Sequence, residues 1–502
     1  MNTEAKFNRL KEILGEVADL TYANFLLDWD QQCYMPVGGA EGRSYQSATL
    51  QRLAHERFSS VETGQLLEDL KPYAAGLDPD SDEAKLLQVT RRRYDKKVKV
   101  PSSLVSEFSK ACSASHTVWA KARSENRFVD FQPHLEKIVE LRRQYAACFT
   151  PYDHVYDPLL DDFEPGLKTA EVQAIFKALR PQQVALIKEI GERRQVDDSF
   201  LHLGYDEQKQ WDFGVEVVTR FGYDWSRGRQ DKAAHPFSTN FSSSDVRITT
   251  RVLPDFLSTA LFGTMHECGH ALYEQGVNPA YDRHMLAGGA SLGVHESQSR
   301  LWENLVGRSR PLWQCFYKRL QEFFPSQLGN VPLDTFYKGI NKVAPSLVRV
   351  EADEATYNLH VMLRLELEIA LMEGSLAVKD LPGAWNSRMK DYLGVVPPND
   401  AQGVLQDVHW SSGYIGYFPT YALGNLISAQ VWECIRKDIP DLDDQIRRGD
   451  FSALLGWMRR KIHVHGAKYQ PQELVERVTG SKIDPAPYVR YLRTKYGEIY
   501  GL

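Results

Sequence analysis

Helical periodicity runs through almost the whole chain and gives way to β-type patterning at one place only. Apolar residues recur three and four positions apart over 6–28, 41–57, 82–98, 102–126, 131–149, 168–193 and 207–220. They do so again over 297–307, 311–324, 333–343, 352–373, 425–437 and 451–463. Each such segment has an apolar stripe that must be buried against another element. The separators carry Pro, Gly or Asp, as in Glu164-Pro165-Gly166 and Pro397-Pro398-Asn399-Asp400. Segment 234–252 differs: its β-branched alternation, clearest in Val246-Arg247-Ile248-Thr249-Thr250, predicts a small hairpin or sheet. With no repeats or long linkers, residues 1–502 read as one mainly α body.

The chemistry is concentrated in His266-Glu267-Cys268-Gly269-His270. Two histidines four apart on a helix differ by about 40° around its axis, so one divalent ion can be gripped by both. Glu267 can then take a proton from a water that the ion acidifies towards a pKa of roughly 7. The pattern predicts metal-assisted hydrolysis, most often of a peptide bond. Ser258 or Thr259 is the expected N-cap of this helix and Gly276 its expected stop. Leu261, Met265, Cys268 and Leu272 form one apolar stripe, and the histidines occupy the next, beside Gly263. Cys268 therefore reads as a small hydrophobe rather than a ligand.

Composition narrows the alternatives. A net charge of −6 argues against general nucleic-acid binding, which needs a basic footprint. No apolar run approaches the roughly 20 residues of a membrane span, and the charged start, Met1 to Lys6, is unlike a signal peptide. Cysteines 33, 112, 148, 268, 315 and 434 show no paired spacing, which fits a cytoplasmic protein without disulfides. The basic run from Arg91 to Lys99 reads as a solvated helix face.

A catalytic zinc keeps three protein ligands and one open position. The third should lie downstream, after the glycine-rich passage 286–293, where His295 and Glu296 are both eligible on spacing. If Glu296 is the ligand, Arg300 and Glu303 share its face and can orient it. Asp245, Arg247 and Thr249 read as supports of the strand beside the metal helix, able to orient a ligand histidine.

Several separated motifs together resemble the thermostable metallocarboxypeptidases typified by carboxypeptidase Taq. They are Trp29-Asp30-Gln31 with Met35-Pro36, His235-Pro236-Phe237, Asp245-Val246-Arg247-Ile248-Thr249, the metal motif, and His295-Glu296-Ser297-Gln298. Val348-Arg349-Val350-Glu351-Ala352-Asp353 and Gly403 to Trp410 complete the set, with Val348 where the family often has Ile. The resemblance spans nearly the whole chain. It implies Glu296 as the third ligand and a helical fold like that of neurolysin and angiotensin-converting enzyme. In that fold two halves flank a deep groove, and the helices of about 1–100 are expected to act as a lid. It also implies a homodimer, one Zn2+ per subunit with Co2+ as an alternative, and release of single C-terminal residues with broad tolerance.

An enzyme acting at C-termini must hold a free carboxylate, for which a guanidinium fork is suited, and Arg349 is the candidate. His409 followed by Tyr414-Ile415-Gly416-Tyr417 is similar to an arrangement in angiotensin-converting enzyme. That match makes Tyr417 the expected oxyanion donor, with Tyr414 as the alternative, and puts His409 on the substrate or intermediate. His235 is a candidate substrate contact. The rival readings are an endopeptidase or dipeptidyl carboxypeptidase of the same fold, and a peptide-binding protein without chemistry.

Overall fold

The structure, a computed structural model, describes residues 1–502 and is mainly helical. Local signals set many of the helix boundaries. Asn2 caps the first helix, Thr3–Cys33, by accepting from the Ala5 amide at 2.8 Å. Asp353 caps Glu354–Glu373 through the amides of Ala355 and Thr356, and Gly374 ends it at φ 82°. That helix is buried on nearly every side and runs through the interior. No helix is long and apolar enough to cross a membrane.

The single sheet has three strands, β1 (Gln230–Lys232), β2 (Ser238–Ser242) and β3 (Asp245–Thr250), in the order β1-β3-β2. The β2–β3 hairpin is the expected one, and β1 adds a parallel edge that the patterning did not announce. Val246 and Ile248 are fully buried on the central strand. Thr249 does not orient a histidine. Its hydroxyl accepts from the Phe237 amide at 2.8 Å and meets the Phe237 carbonyl at 3.1 Å, tying down the loop that carries His235. Arg247 pairs with Asp245 through two bonds of 2.9 Å and lies over the Trp29 ring, 4.4 Å from its centroid. Arg229 lies over the same ring at 5.1 Å, so two cation–π contacts fasten the first helix to the sheet.

The apolar interior divides in two. One core of 98 residues starts at Trp119 and holds the body together. A second, of 14 residues, joins the helices before residue 100 to Val277, Tyr281 and Leu286. The six cysteines are unpaired.

Candidate metal centre

The helix Leu257–Glu274 carries the two histidines. It begins earlier than a cap at Ser258 or Thr259 would allow. A bridge between Leu253 and Phe256 holds Phe256 extended at φ −153°, and the helix starts at the next residue without a side-chain cap. Leu261, Met265, Cys268 and Leu272 are buried as expected. A second helix, Leu292–Arg300, is capped by the Ser291 hydroxyl on the Val294 amide and continues into a π-helical turn, Leu301–Val306. The two cross at Gly269, where a Cβ would lie 2.6 Å from Ser299 Cα. A third helix, Pro419–Asp438, meets the second at Gly424, where a Cβ would lie 2.6 Å from Glu296 Cγ. Glycine at these two positions lets the Glu296 carboxylate sit over the first helix.

Donor atoms of His266, His270 and Glu296 all lie within 4.8 Å of one another. Glu296 Oε2 is 3.5 Å from Nε2 of each histidine. Their outer partners leave those nitrogens free to coordinate. His266 Nδ1 binds Glu303 Oε2 at 2.9 Å. His270 Nδ1 meets His295 Nδ1 at 2.6 Å, and His295 Nε2 binds Glu274 Oε1 at 2.7 Å. Arg300 holds Glu296 Oε1 at 2.7 Å and Glu303 Oε2 at 3.1 Å. Two imidazoles and a carboxylate, each anchored from behind, fit a divalent metal. His295, eligible on spacing, is not among the three clustered donors and instead bridges His270 and Glu274.

The electrostatics agree with that division. Burial keeps His270 neutral by lowering it to about 3. Burial also opposes charge on His266, but Glu296 and Glu303 outweigh it and the net shift is upward. Against burial, Arg300 and His266 hold Glu296 well below the usual carboxylate range and Glu303 at about 2. Glu267 is buried beside the cluster, and burial, reinforced by Glu296 and Glu303, raises its carboxyl to about 7. A cation on the neighbouring donors would draw it back towards the carboxylate.

Beyond Glu296 lies a second charged group. Arg349 is buried, with Nε and Nη2 on Asp407 Oδ1 (3.2 and 2.8 Å) and Nη1 on the Tyr357 hydroxyl (2.7 Å). Arg364 shares Asp407 through Oδ2 at 2.7 Å. His409 sits beside them, 3.4 Å from the Tyr421 hydroxyl, and burial lowers it to about 4. Tyr417 stacks near His409 and Tyr421, at ring distances of 5.2 and 5.3 Å, and feels the Glu296 charge. Tyr414 is 46% exposed and packs on Phe163 and Tyr417. His235 is exposed and makes no hydrogen bond, and its neighbour Pro236 overhangs Gly263 on the metal helix.

The family model for carboxypeptidase Taq (M32) metallopeptidases matches residues 9–496. The chain belongs to this M32 family of metallocarboxypeptidases. It is 41% identical to thermostable carboxypeptidase 1 of Thermus thermophilus, each covered over its full length, and 35% identical to carboxypeptidase 1 of Bacillus subtilis over 97% of both. The crystal structure of an M32 carboxypeptidase from Deinococcus radiodurans superposes with a TM-score of 0.96 at 41% identity, covering 99% of this chain and 100% of that one.

Three features of this M32 site escape sequence reasoning. Tyr421, one helical turn after Tyr417, completes the aromatic wall and lies 4.7 Å from the Arg349 guanidinium carbon. Its signal was the i, i+4 spacing. Asp407, inside a quoted motif, is the anion that both arginines share. Glu368 is fully buried, and burial raises it to about 7. It accepts from Trp410 Nε1 (2.8 Å), the Gly416 amide (3.0 Å) and the Tyr156 hydroxyl (2.5 Å), pinning both ends of the loop from His409 to Tyr417. Nothing in its apolar helix pattern announces that role.

Proposed function

We propose that this M32 enzyme is a zinc carboxypeptidase that releases single C-terminal residues with broad tolerance, using His266, His270 and Glu296 as ligands. Bound there, zinc would supply a Lewis acid for the scissile carbonyl and acidify the attacking water. Glu267 takes the proton from that water and returns it to the leaving amine. Tyr417 donates to the developing oxyanion, and the neutral His409 contacts the substrate backbone. Arg349 binds the terminal carboxylate through the N–H groups of Nη1 and Nη2 that Asp407 and Tyr357 leave unused. His235 and Tyr414 contribute to the rim. The helices of about 1–100 form a lid over the groove, in keeping with their separate core. Six unpaired cysteines suit a cytoplasmic location; the homodimer and the alternative of Co2+ rest on the resemblance alone.

The observation that carries the exopeptidase reading is uncompensated charge. Two buried guanidiniums, Arg349 and Arg364, share one ion-paired carboxylate, Asp407, so direct pairing leaves one positive charge over. A substrate's terminal carboxylate balances it; a mid-chain segment does not. The test is a peptide offered with a free or an amidated C-terminus and followed by mass spectrometry. Stepwise trimming of the free form with no cleavage of the amide is expected. Cutting of the amide at comparable rate would favour an endopeptidase.

A further inference from the structure

The basic run that begins at Arg91 does not form one solvated face. Arg91 pairs with Glu68 and Asp95, Arg92 with Asp161, and Lys96 with Asp161 and Asp162 at 2.6 and 2.7 Å. Arg93 pairs with no carboxylate. Its one polar side-chain contact is Nη1 on Met285 Sδ at 3.2 Å. Arg93 is exposed to solvent, and desolvation by nearby protein atoms, helped by the Arg92 charge, lowers its guanidinium pKa.

Arg93 lines a groove of about 1160 Å³ between the first helices and the body. Five Lys and Arg side chains line it against two Asp, although the protein as a whole carries −6. One of those two, Asp162, is already engaged by Lys96. The groove therefore holds a surplus of positive charge with Arg93 unpaired at its wall. Tyr22 lines the same groove and offers a phenolic O–H, whose pKa burial raises to about 12.

The inner wall of this groove adjoins the metal centre. Asn240, which lines it, donates to Glu274 Oε2 at 3.1 Å; Glu274 holds His295, and His295 holds His270. Arg349 is reached from the cluster by a different route, through Glu296, Arg300 and Tyr357. In the binding mode inferred here, a peptide held at Arg349 crosses the metal cluster and continues along the His270 side into the groove that Arg93 lines.

We propose that Arg93 is a recognition site for an acidic side chain of the peptide substrate, upstream of the scissile bond. The proposal rests on the carboxypeptidase reading, which sets the direction of the peptide. A carboxylate of Glu or Asp would pair with the free guanidinium through a charge-assisted, bidentate bond that an uncharged isostere does not match.

The test uses the full zinc-loaded chain and N-blocked alanine peptides with a constant free C-terminal residue. Each carries Glu or Gln at one upstream position. Wild type is expected to favour Glu at one position by about tenfold in kcat/KM, less at high salt. Arg93→Gln should lose the preference while cleaving the Gln peptide at the wild-type rate, which also reports that the variant is folded. Arg93→Glu should favour Lys at that position. Equal cleavage of Glu and Gln peptides by wild type, or a preference unchanged in Arg93→Gln, would overturn the proposal and leave the carboxypeptidase reading standing. Failure to trim any free C-terminus would overturn both.

Discussion

Glu303 is placed to set the strength of the metal site without touching the ion, and its removal yields a number. Its Oε2 binds His266 Nδ1 at 2.9 Å, which leaves Nε2 as the coordinating nitrogen and adds negative charge behind the ring. Loss of such an outer partner weakens metal binding by about 10- to 100-fold, or about 1.4–2.7 kcal/mol. Glu303→Gln keeps an oxygen that accepts the Nδ1–H bond and loses only the charge, so it should fall near the tenfold end. Glu303→Ala loses both and should approach a hundredfold. Arg300 retains Glu296 at 2.7 Å in either variant, so the ligand carboxylate stays anchored. Arg308 loses only a longer contact of 3.6 Å. The assay is competition for zinc against a chromophoric chelator, with thermal melts of the metal-free proteins as the control for folding. Wild-type zinc affinity in both folded variants would refute the assignment of His266 as a ligand oriented by Glu303.

Two further outcomes follow from buried carboxyls. Glu164 accepts from the Gly293 amide at 2.5 Å and is fully buried, which raises it from 4.5 to about 8. Because the folded form holds its proton more tightly than the unfolded one, stability falls as pH rises from about 4.5 to about 8, on the order of 1.4 kcal/mol per pH unit, and then levels off. Glu164→Gln, which can still accept from Gly293, should flatten that slope in denaturant titrations across this range; an unaltered slope would contradict the account. Glu368→Gln turns an amide nitrogen towards one of three donors, so the loop from His409 to Tyr417 should shift and kcat should fall by about a hundredfold with zinc content unchanged. Wild-type kcat in that variant would show that the loop needs no such staple.

The fold class and the core of the site were legible because they depend on local patterns. The 3.6-residue periodicity marked most helices, and alternation marked the hairpin. His266, Glu267 and His270 share a helix, so spacing alone places them together. The third donor of the cluster was not fixed by spacing because His295 and Glu296 are neighbours on one helix, about 100° apart around its axis. Which of them reaches the cluster depends on the crossing at Gly269 and the approach of Gly424, contacts between distant segments. The same holds for Asp407 serving two arginines and for Glu368 under its loop. A helical pattern gives faces, not neighbours, so in sequence the basic run reads as solvated. Arg91, Arg92 and Lys96 meet carboxylates of other segments, Glu68, Asp161 and Asp162, whereas Arg93 lines the groove.

The central claim is that His266, His270 and Glu296 hold the metal while Glu267 moves the proton. Glu267→Gln separates the two roles, since its amide cannot accept that proton and none of the three ligands is altered. Metal content and turnover measured on the same purified sample should show one zinc per chain and a loss of activity of several orders of magnitude, at least the 10²- to 10⁴-fold typical of a lost general base. Near-normal turnover with zinc in place would contradict the account, and loss of the zinc itself would show that Glu267 belongs among the ligands.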